Sequence, residues 1–210
     1  MIIKQLTTHE ISEVYHRHLK YDFPDNERKP LFVMKNLAKR NLYLCYGLYD
    51  STDKSLKAYA FLARAEQGNS LLLDYFAAVA DARGLGFGSL LLQGLSSELT
   101  ATTGILAEVE HAADGRDAAE RQTRQRRIDF YCRNGFIHSH VSGLIFGVYY
   151  DIVYLPIQKP ADDAFIMSEL AELYRTMLPK FMFEANVHLE IQSGRADPEQ
   201  LRPRPVCQPG

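Results

Sequence analysis

Between Ser70 and Leu95 the chain reads SLLLDYFAAVADARGLGFGSLLLQGL. An apolar run from Leu71 to Val79 passes through Arg83 into alternating Gly84, Gly86 and Gly88, and then into leucines at helical spacing. A buried strand that turns into a helix through glycines constrains the fold to a mixed α/β arrangement. A helix start carries unpaired backbone N–H groups and the positive end of the dipole. Glycines let such a backbone approach an anion closely, so the loop predicts a phosphate or pyrophosphate cradle. One glycine would serve a plain strand-to-helix turn. Three at alternate positions behind an arginine favour the cradle.

The remaining pattern supports one α/β core. Ile2 to Leu6 reads as a strand, and Thr8 as the cap of a helix running to about Lys20. FPDNERKP (23–30) is a polar loop, and Leu31 to Arg40 a second helix. NLYLCYGLYD and SLKAYAFLARA read as a hairpin joined by STDK. The helix after the glycines is expected to end near Thr103-Gly104, followed by the strand GILAEVE. Asp117 to Asn134 is a long helix closed by Gly135. FIHSHV and LIFGVYYDIVYLPI are two closing strands, and Ala161 to Leu178 a last helix stopped by Pro179. We divide the chain into a core (1–157), a C-terminal helix and extension (158–192), and a proline-rich tail (193–210) whose composition predicts disorder.

Charge and composition exclude several classes. A formal net charge of −2 over 210 residues gives no reason to expect nucleic acid or a membrane as partner. The arginines from Arg116 to Arg133 read as a solvated helix face. No apolar stretch is long enough to span a bilayer, and MIIKQLTTHE is not a signal peptide. Three widely spaced cysteines, Cys45, Cys132 and Cys207, suggest neither a disulfide framework nor zinc, and a reducing cytoplasm is the expected location. His138 and His140 share a strand face but lack a third ligand, so no metal is expected.

Three cradles compete for the loop. A Walker loop needs a lysine that is missing here. A dinucleotide fingerprint is approximated by Gly84, Gly86 and Ser89, with Glu108 or Glu110 about 20 residues on. Against it, Ser89 stands where Gly or Ala is wanted, and the motif follows a hairpin rather than opening a strand–helix–strand unit. The third is a pattern [RQ]xxGx[GA] matched by Arg83, Gly86 and Gly88, which resembles the acetyl-coenzyme A loop of the GNAT N-acetyltransferases. IDFYCRNGF (128–136) is similar to that family's second signature, and LAEVE to its fifth strand, with matching element order from Ile2 to Leu155. The sequence departs from the family at Ala80, where proline often precedes the loop, and at Arg124 and Arg127, where asparagine and alanine often precede the tyrosine.

The resemblance implies a central mixed, mostly antiparallel sheet flanked by helices, here with a C-terminal helical extension. It also implies acetyl-CoA as co-substrate. The backbone of Ala78, Val79 and Ala80 would meet the thioester, and Arg83, Gly84, Leu85, Gly86, Phe87, Gly88 and Ser89 the pyrophosphate. Tyr131 matches the family's general acid, and a phenol suits protonation of a thiolate. Glu108 sits in AEV, similar to the LEV of the family's ribosomal-protein alanine acetyltransferases, where that glutamate takes the proton. Glu110, on the same strand face, and Asp74 are the other candidate bases. Arg124 and Arg127 either bind an anion beside Tyr131 or pair with Glu120 or Asp129. The expected function is direct acetyl transfer, in a ternary complex, to a small-molecule or peptide amine, by a monomer or homodimer. The rivals are a non-catalytic acyl-CoA sensor and an NAD-binding oxidoreductase.

Overall fold

The computed structural model describes residues 1–192, and the structural statements below concern these. The expected disorder of 193–210, and Cys207 with it, lies outside the described residues. The strands are β1 (Ile2–Gln5), β2 (Tyr43–Tyr49), β3 (Leu56–Arg64), β4 (Ser70–Ala78), β5 (Gly104–Glu110), β6 (Ile137–Ile145), β7 (Val148–Pro156) and β8 (Val187–Ile191). They form one sheet in the order β1-β2-β3-β4-β5-β7-β6-β8. Every neighbouring pair is antiparallel except β4 and β5.

Helices cover both faces. One face packs α1 (Thr8–Val14), α3 (Leu31–Lys39) and α6 (Asp163–Met177) through Ile11, Val14, Met34, Leu37, Ile166, Leu170 and Leu173. The short α2 (Lys20–Asp22) continues α1 through a π-wound turn, Tyr15–Leu19. The other face packs α4 (Phe87–Glu98) and α5 (Ala118–Arg133) through Leu91, Leu92, Leu95, Ile128 and Tyr131. Residues beyond 157 therefore complete the core on the first face: Leu170 and Leu173 are fully buried.

Several boundaries differ from the sequence reading. The cap of α1 is Thr7, not Thr8: the Glu10 N–H donates to Thr7 Oγ1 at 3.3 Å, and the Thr7 N–H to the Glu10 carboxylate at 2.8 Å. Helix α4 stops at Glu98 rather than near Thr103, because the β-branched Thr100, Thr102 and Thr103 disfavour another turn. The closing strands meet at Phe146-Gly147, both at positive φ (+47° and +81°), not at Ser142-Gly143. Gly143 stays within β6 because a Cβ there would lie 2.7 Å from the Leu189 side chain of β8. Pro179 ends α6 as expected but also starts α7 (Lys180–Asn186), which leads into β8, an edge strand missed in the sequence.

The parallel pair shapes the site. β4 and β5 share only Ser70↔Gly104, Leu71↔Ile105 and Leu72↔Leu106 before they part. A bulge places Asp74 between the β3 pairings Leu62↔Leu73 and Phe61↔Tyr75, which bends β4 at the point of parting. The result is an opening between the two strands beyond Leu72 and Leu106.

Candidate active site

Helix α4 begins at the tip of β4 without a side-chain cap. Its first backbone bond runs from the Leu90 N–H to the Gly86 carbonyl, which leaves the N–H groups of Phe87, Gly88 and Ser89 for an external acceptor. The glycines have separate reasons. Gly84 and Gly86 adopt φ of +75° and +82°, and a Cβ on either would meet nothing within 4 Å; they are needed for handedness. Gly88 is needed for closeness, since its Cβ would sit 3.3 Å from Phe130 and 3.4 Å from Phe76. Those two rings pack at 5.8 Å between β4 and α5.

Together these groups wall a cavity of about 510 Å³. Ala77 and Ala78 form its strand side, Gly84, Gly86, Phe87, Gly88 and Ser89 its loop side, and Arg127, Tyr131 and Arg133 its α5 side. Polar N–H groups at one end and apolar rings at the other fit a ligand with an anionic end and an apolar arm. Arg83 lies at the rim, where Asp22 of α2 holds its guanidinium at 2.5 Å. The Tyr59 hydroxyl donates to the other Asp22 oxygen at 2.7 Å, so the arginine is fixed from behind.

Tyr131 packs its ring edge-on to Phe136 (4.9 Å) and Phe130 (5.5 Å). Among the described residues its hydroxyl has no hydrogen-bond partner. Burial pushes its pKa up to about 12, against the opposing pull of Arg127. Such a phenol stays protonated through the physiological range.

Across the opening, on the α6 face, two carboxyl groups stand two residues beyond the last β4–β5 pair: Asp74 on β4 and Glu108 on β5. The Glu108 pKa is pushed up to about 7, first by burial and then by the charge of Asp74, while the Tyr174 hydrogen bond and the Lys29 charge oppose the rise. Tyr174 of α6 donates to Glu108 Oε1 at 2.6 Å. Asp74 is bound by the Lys29 ammonium at 2.7 and 2.8 Å and accepts the Tyr43 hydroxyl. The parting of β4 and β5 therefore lies between a helix start with unpaired N–H groups and the Tyr131 phenol on one side and the Glu108 carboxyl, raised to about 7, on the other.

No family model and no curated protein matches this sequence. Solved structures do. A protein assigned to the GNAT acetyltransferase family from Bacteroides thetaiotaomicron superposes with a TM-score of 0.64 at 16% identity, covering 85% of this chain and all of the other. The ribosomal-protein-S18-alanine N-acetyltransferase from Escherichia coli gives 0.53 at 22% identity, over 77% of this chain and 97% of its own. A chimera of the spermidine N-acetyltransferase SpeG from Vibrio cholerae gives 0.53 at 14% identity, over 74% and 96%.

The chain has the GNAT fold.

Within this fold the expected site residues separate. Ala78, Arg83, Gly84, Gly86, Phe87, Gly88, Ser89 and Tyr131 line one cavity. Val79, Ala80 and Leu85 do not: the Val79 N–H is spent on the Lys57 carbonyl at 3.0 Å, Ala80 begins a 3-10 turn, and Leu85 faces a neighbouring cavity behind the loop. Glu108 and Glu110 do not act as a carboxylate pair. The Glu110 oxygens are taken by Arg124 at 3.0 Å and Arg127 at 3.5 Å, so the partner that raises Glu108 is Asp74 instead. Arg124 is closed off by Glu110, Glu120 and the His111 carbonyl, whereas Arg127 stays half-exposed on the cavity wall. His138 approaches Asp151 and His140 approaches Asp163, so the two imidazoles diverge.

The loop does open a strand–helix–strand unit, contrary to the sequence reading, since β4 and β5 are parallel on either side of α4. A dinucleotide site would still lack its acidic residue: Glu108 is bound to α6 on the opposite face, and Glu110 is engaged by arginines. Asp22, Lys29 and Tyr174 were missed. Tyr174 sits in phase with the buried Ile166, Leu170 and Leu173, so the sequence marks it as core, while Lys29 and Asp22 belong to no recognisable spacing.

Proposed function

We propose that this protein transfers an acetyl group from acetyl-CoA to an amine by direct attack in a ternary complex. The observation that carries the reading is the three-pair β4–β5 ladder. It opens between an uncapped, glycine-lined helix start and a carboxyl with a pKa of about 7. Acetyl-CoA would supply an activated thioester and a leaving thiolate. The N–H groups of Phe87, Gly88 and Ser89, with Arg83 and Arg127, would hold its phosphates, and Phe76 and Phe130 would pack its arm. Glu108 accepts a proton from the acceptor ammonium, since a base titrating near neutrality balances availability against strength. Tyr131 gives a proton to the departing sulfur. The acceptor approaches from the Asp74–Glu108 side, where carboxylates favour a cationic small-molecule or peptide amine. The buried Cys45 thiol suits a reducing cytoplasm. Among the described residues no helix is long and apolar enough to cross a membrane.

Thiol release from acetyl-CoA across a panel of polyamines, amino-terminal peptides and aminoglycosides tests the reading. Amine-dependent release that is lost in Tyr131→Phe supports it. Binding of acetyl-CoA with no turnover on any amine would favour a sensor instead.

A further inference from the structure

The chain offers an amine of its own at the acceptor side of the opening. Lys29 lies in the loop between α2 and α3, and its position is fixed twice over. Its backbone N–H donates to the Tyr75 hydroxyl at 2.7 Å, and that hydroxyl donates to the Glu27 carbonyl at 2.8 Å. Its Nζ sits 2.7 and 2.8 Å from the two oxygens of Asp74, the bulge residue at the parting of β4 and β5. Glu108 occupies the corresponding position on β5 and feels both the Asp74 charge and the Lys29 ammonium. The Lys29 side chain is 28% exposed and rests near the Tyr75 ring, so it is held but not sealed in. Other paired lysines lie elsewhere: Lys4 pairs with Glu10, Lys57 with Asp53 and Lys180 with Glu184, none of which borders the opening.

We propose that Lys29 is a self-acetylation site, modified within its own molecule when an acyl-CoA thioester enters the β4–β5 opening. This rests on the transferase reading above. The Lys29 ammonium gives a proton to Glu108, and the freed nitrogen attacks the thioester carbonyl carbon. The N–C bond forms as the C–S bond breaks, the thiolate leaves with the Tyr131 proton, and the second proton shed by the acylated nitrogen restores the Tyr131 hydroxyl. The product is neutral Nε-acetyllysine, and no oxidant or further reactant is consumed. Asp74 then loses its counter-ion and stands open beside Glu108. The modification thus converts a filled acceptor subsite into one that attracts an external cation. Fixed placement of nucleophile and base is the main advantage of an intramolecular acceptor.

The test is to incubate the full chain with acetyl-CoA and follow each lysine by peptide mass spectrometry, with an added polyamine in a parallel sample. The proposal expects Lys29 to be acetylated at least about ten-fold faster than the exposed Lys39 and Lys54, because only Lys29 is positioned for attack. The rate per molecule should not depend on protein concentration, and Tyr131→Phe should slow it. In Lys29→Arg no other lysine should take over the fast label. If the protein acetylates the added amine while Lys29 reacts no faster than Lys39, Lys29 is an ion-pair partner only, and the transferase reading stands without this inference. A rate that rises with protein concentration would mean transfer between molecules and would overturn the intramolecular geometry. Absence of both acetyl-CoA binding and amine turnover would overturn both readings.

Discussion

Gly86 and Gly88 serve the same cavity in different ways, and substitutions should separate them. Gly86 holds φ at +82° with open space around its Cβ position, so Gly86→Ala should cost ~1–2 kcal/mol of stability through backbone strain. Acetyl-CoA affinity should fall only modestly; thermal unfolding and calorimetry on the same variant check both halves. Tyr131 and Glu108 make a second contrast. Tyr131→Phe should lower kcat by about 10²-fold or more with little change in acetyl-CoA affinity, the usual scale for a lost general acid. For Glu108, whose pKa is raised to about 7, kcat/KM should climb as pH rises through about 7, and Glu108→Gln should abolish that limb. The stability effect has the opposite sense. A carboxyl raised from 4.5 in the unfolded chain to about 7 favours the fold most at low pH, and its contribution falls as pH rises between those values. Glu108→Gln should therefore stabilise the protein above pH 7 by up to ~3 kcal/mol and do nothing below pH 4, as pH-dependent unfolding would show.

At the scale of elements, α6 reaches the chemistry through one hydroxyl. Tyr174 donates to Glu108, and the bond favours the ionised carboxylate. Tyr174→Phe removes a hydrogen bond to a charged group, worth ~1.5–3 kcal/mol, and should move the acid limb of kcat/KM to higher pH. A purely structural Tyr174 would lower activity without moving the limb. The elements also show where sequence reading succeeds. The β4–glycine–α4 passage was legible because handedness, close approach and an uncapped helix start all demand particular residues within a few positions. Tyr131 was singled out by the resemblance of IDFYCRNGF to a family signature, and the structure puts it on the cavity wall near the end of a helix closed by Gly135, at φ +88°. The Tyr174–Glu108 and Lys29–Asp74 contacts were not legible. They join residues 66 and 45 positions apart, and no local pattern encodes which buried tyrosine faces which carboxyl. The hairpin break at Phe146-Gly147 was hidden for a related reason. Ser142-Gly143 looks like a turn locally, and only the Leu189 side chain of β8 explains a glycine inside the strand.

For the whole molecule, one face of the sheet is covered by residues from both ends of the described chain. Ile166, Leu170, Leu173 and Tyr174 are buried against the same face as Ile11 and Met34. At ~1.5–3 kcal/mol for each buried side chain, α6 supplies an amount comparable to the whole stability of a typical domain. A chain ending at Ile157 should therefore lack cooperative thermal unfolding, and a sharp transition in that truncation would show that residues 158–192 are dispensable. Fold class was readable from the order of elements, whereas the role of the C-terminal segment was not. The helical pattern of 161–178 shows an apolar face without saying which sheet face receives it. The central claim is that the opening between β4 and β5 receives acetyl-CoA, with its phosphates on the start of α4. Calorimetric titration of acetyl-CoA into the wild-type protein and into Gly88→Val, with circular dichroism as the folding control, tests it most directly. The account predicts one site per chain in the wild type and at least about a ten-fold loss of affinity in a folded Gly88→Val, because the added side chain crowds Phe76 and Phe130 where the arm of the ligand would pack. Unchanged affinity in the folded variant, or no binding in the wild type, would contradict it.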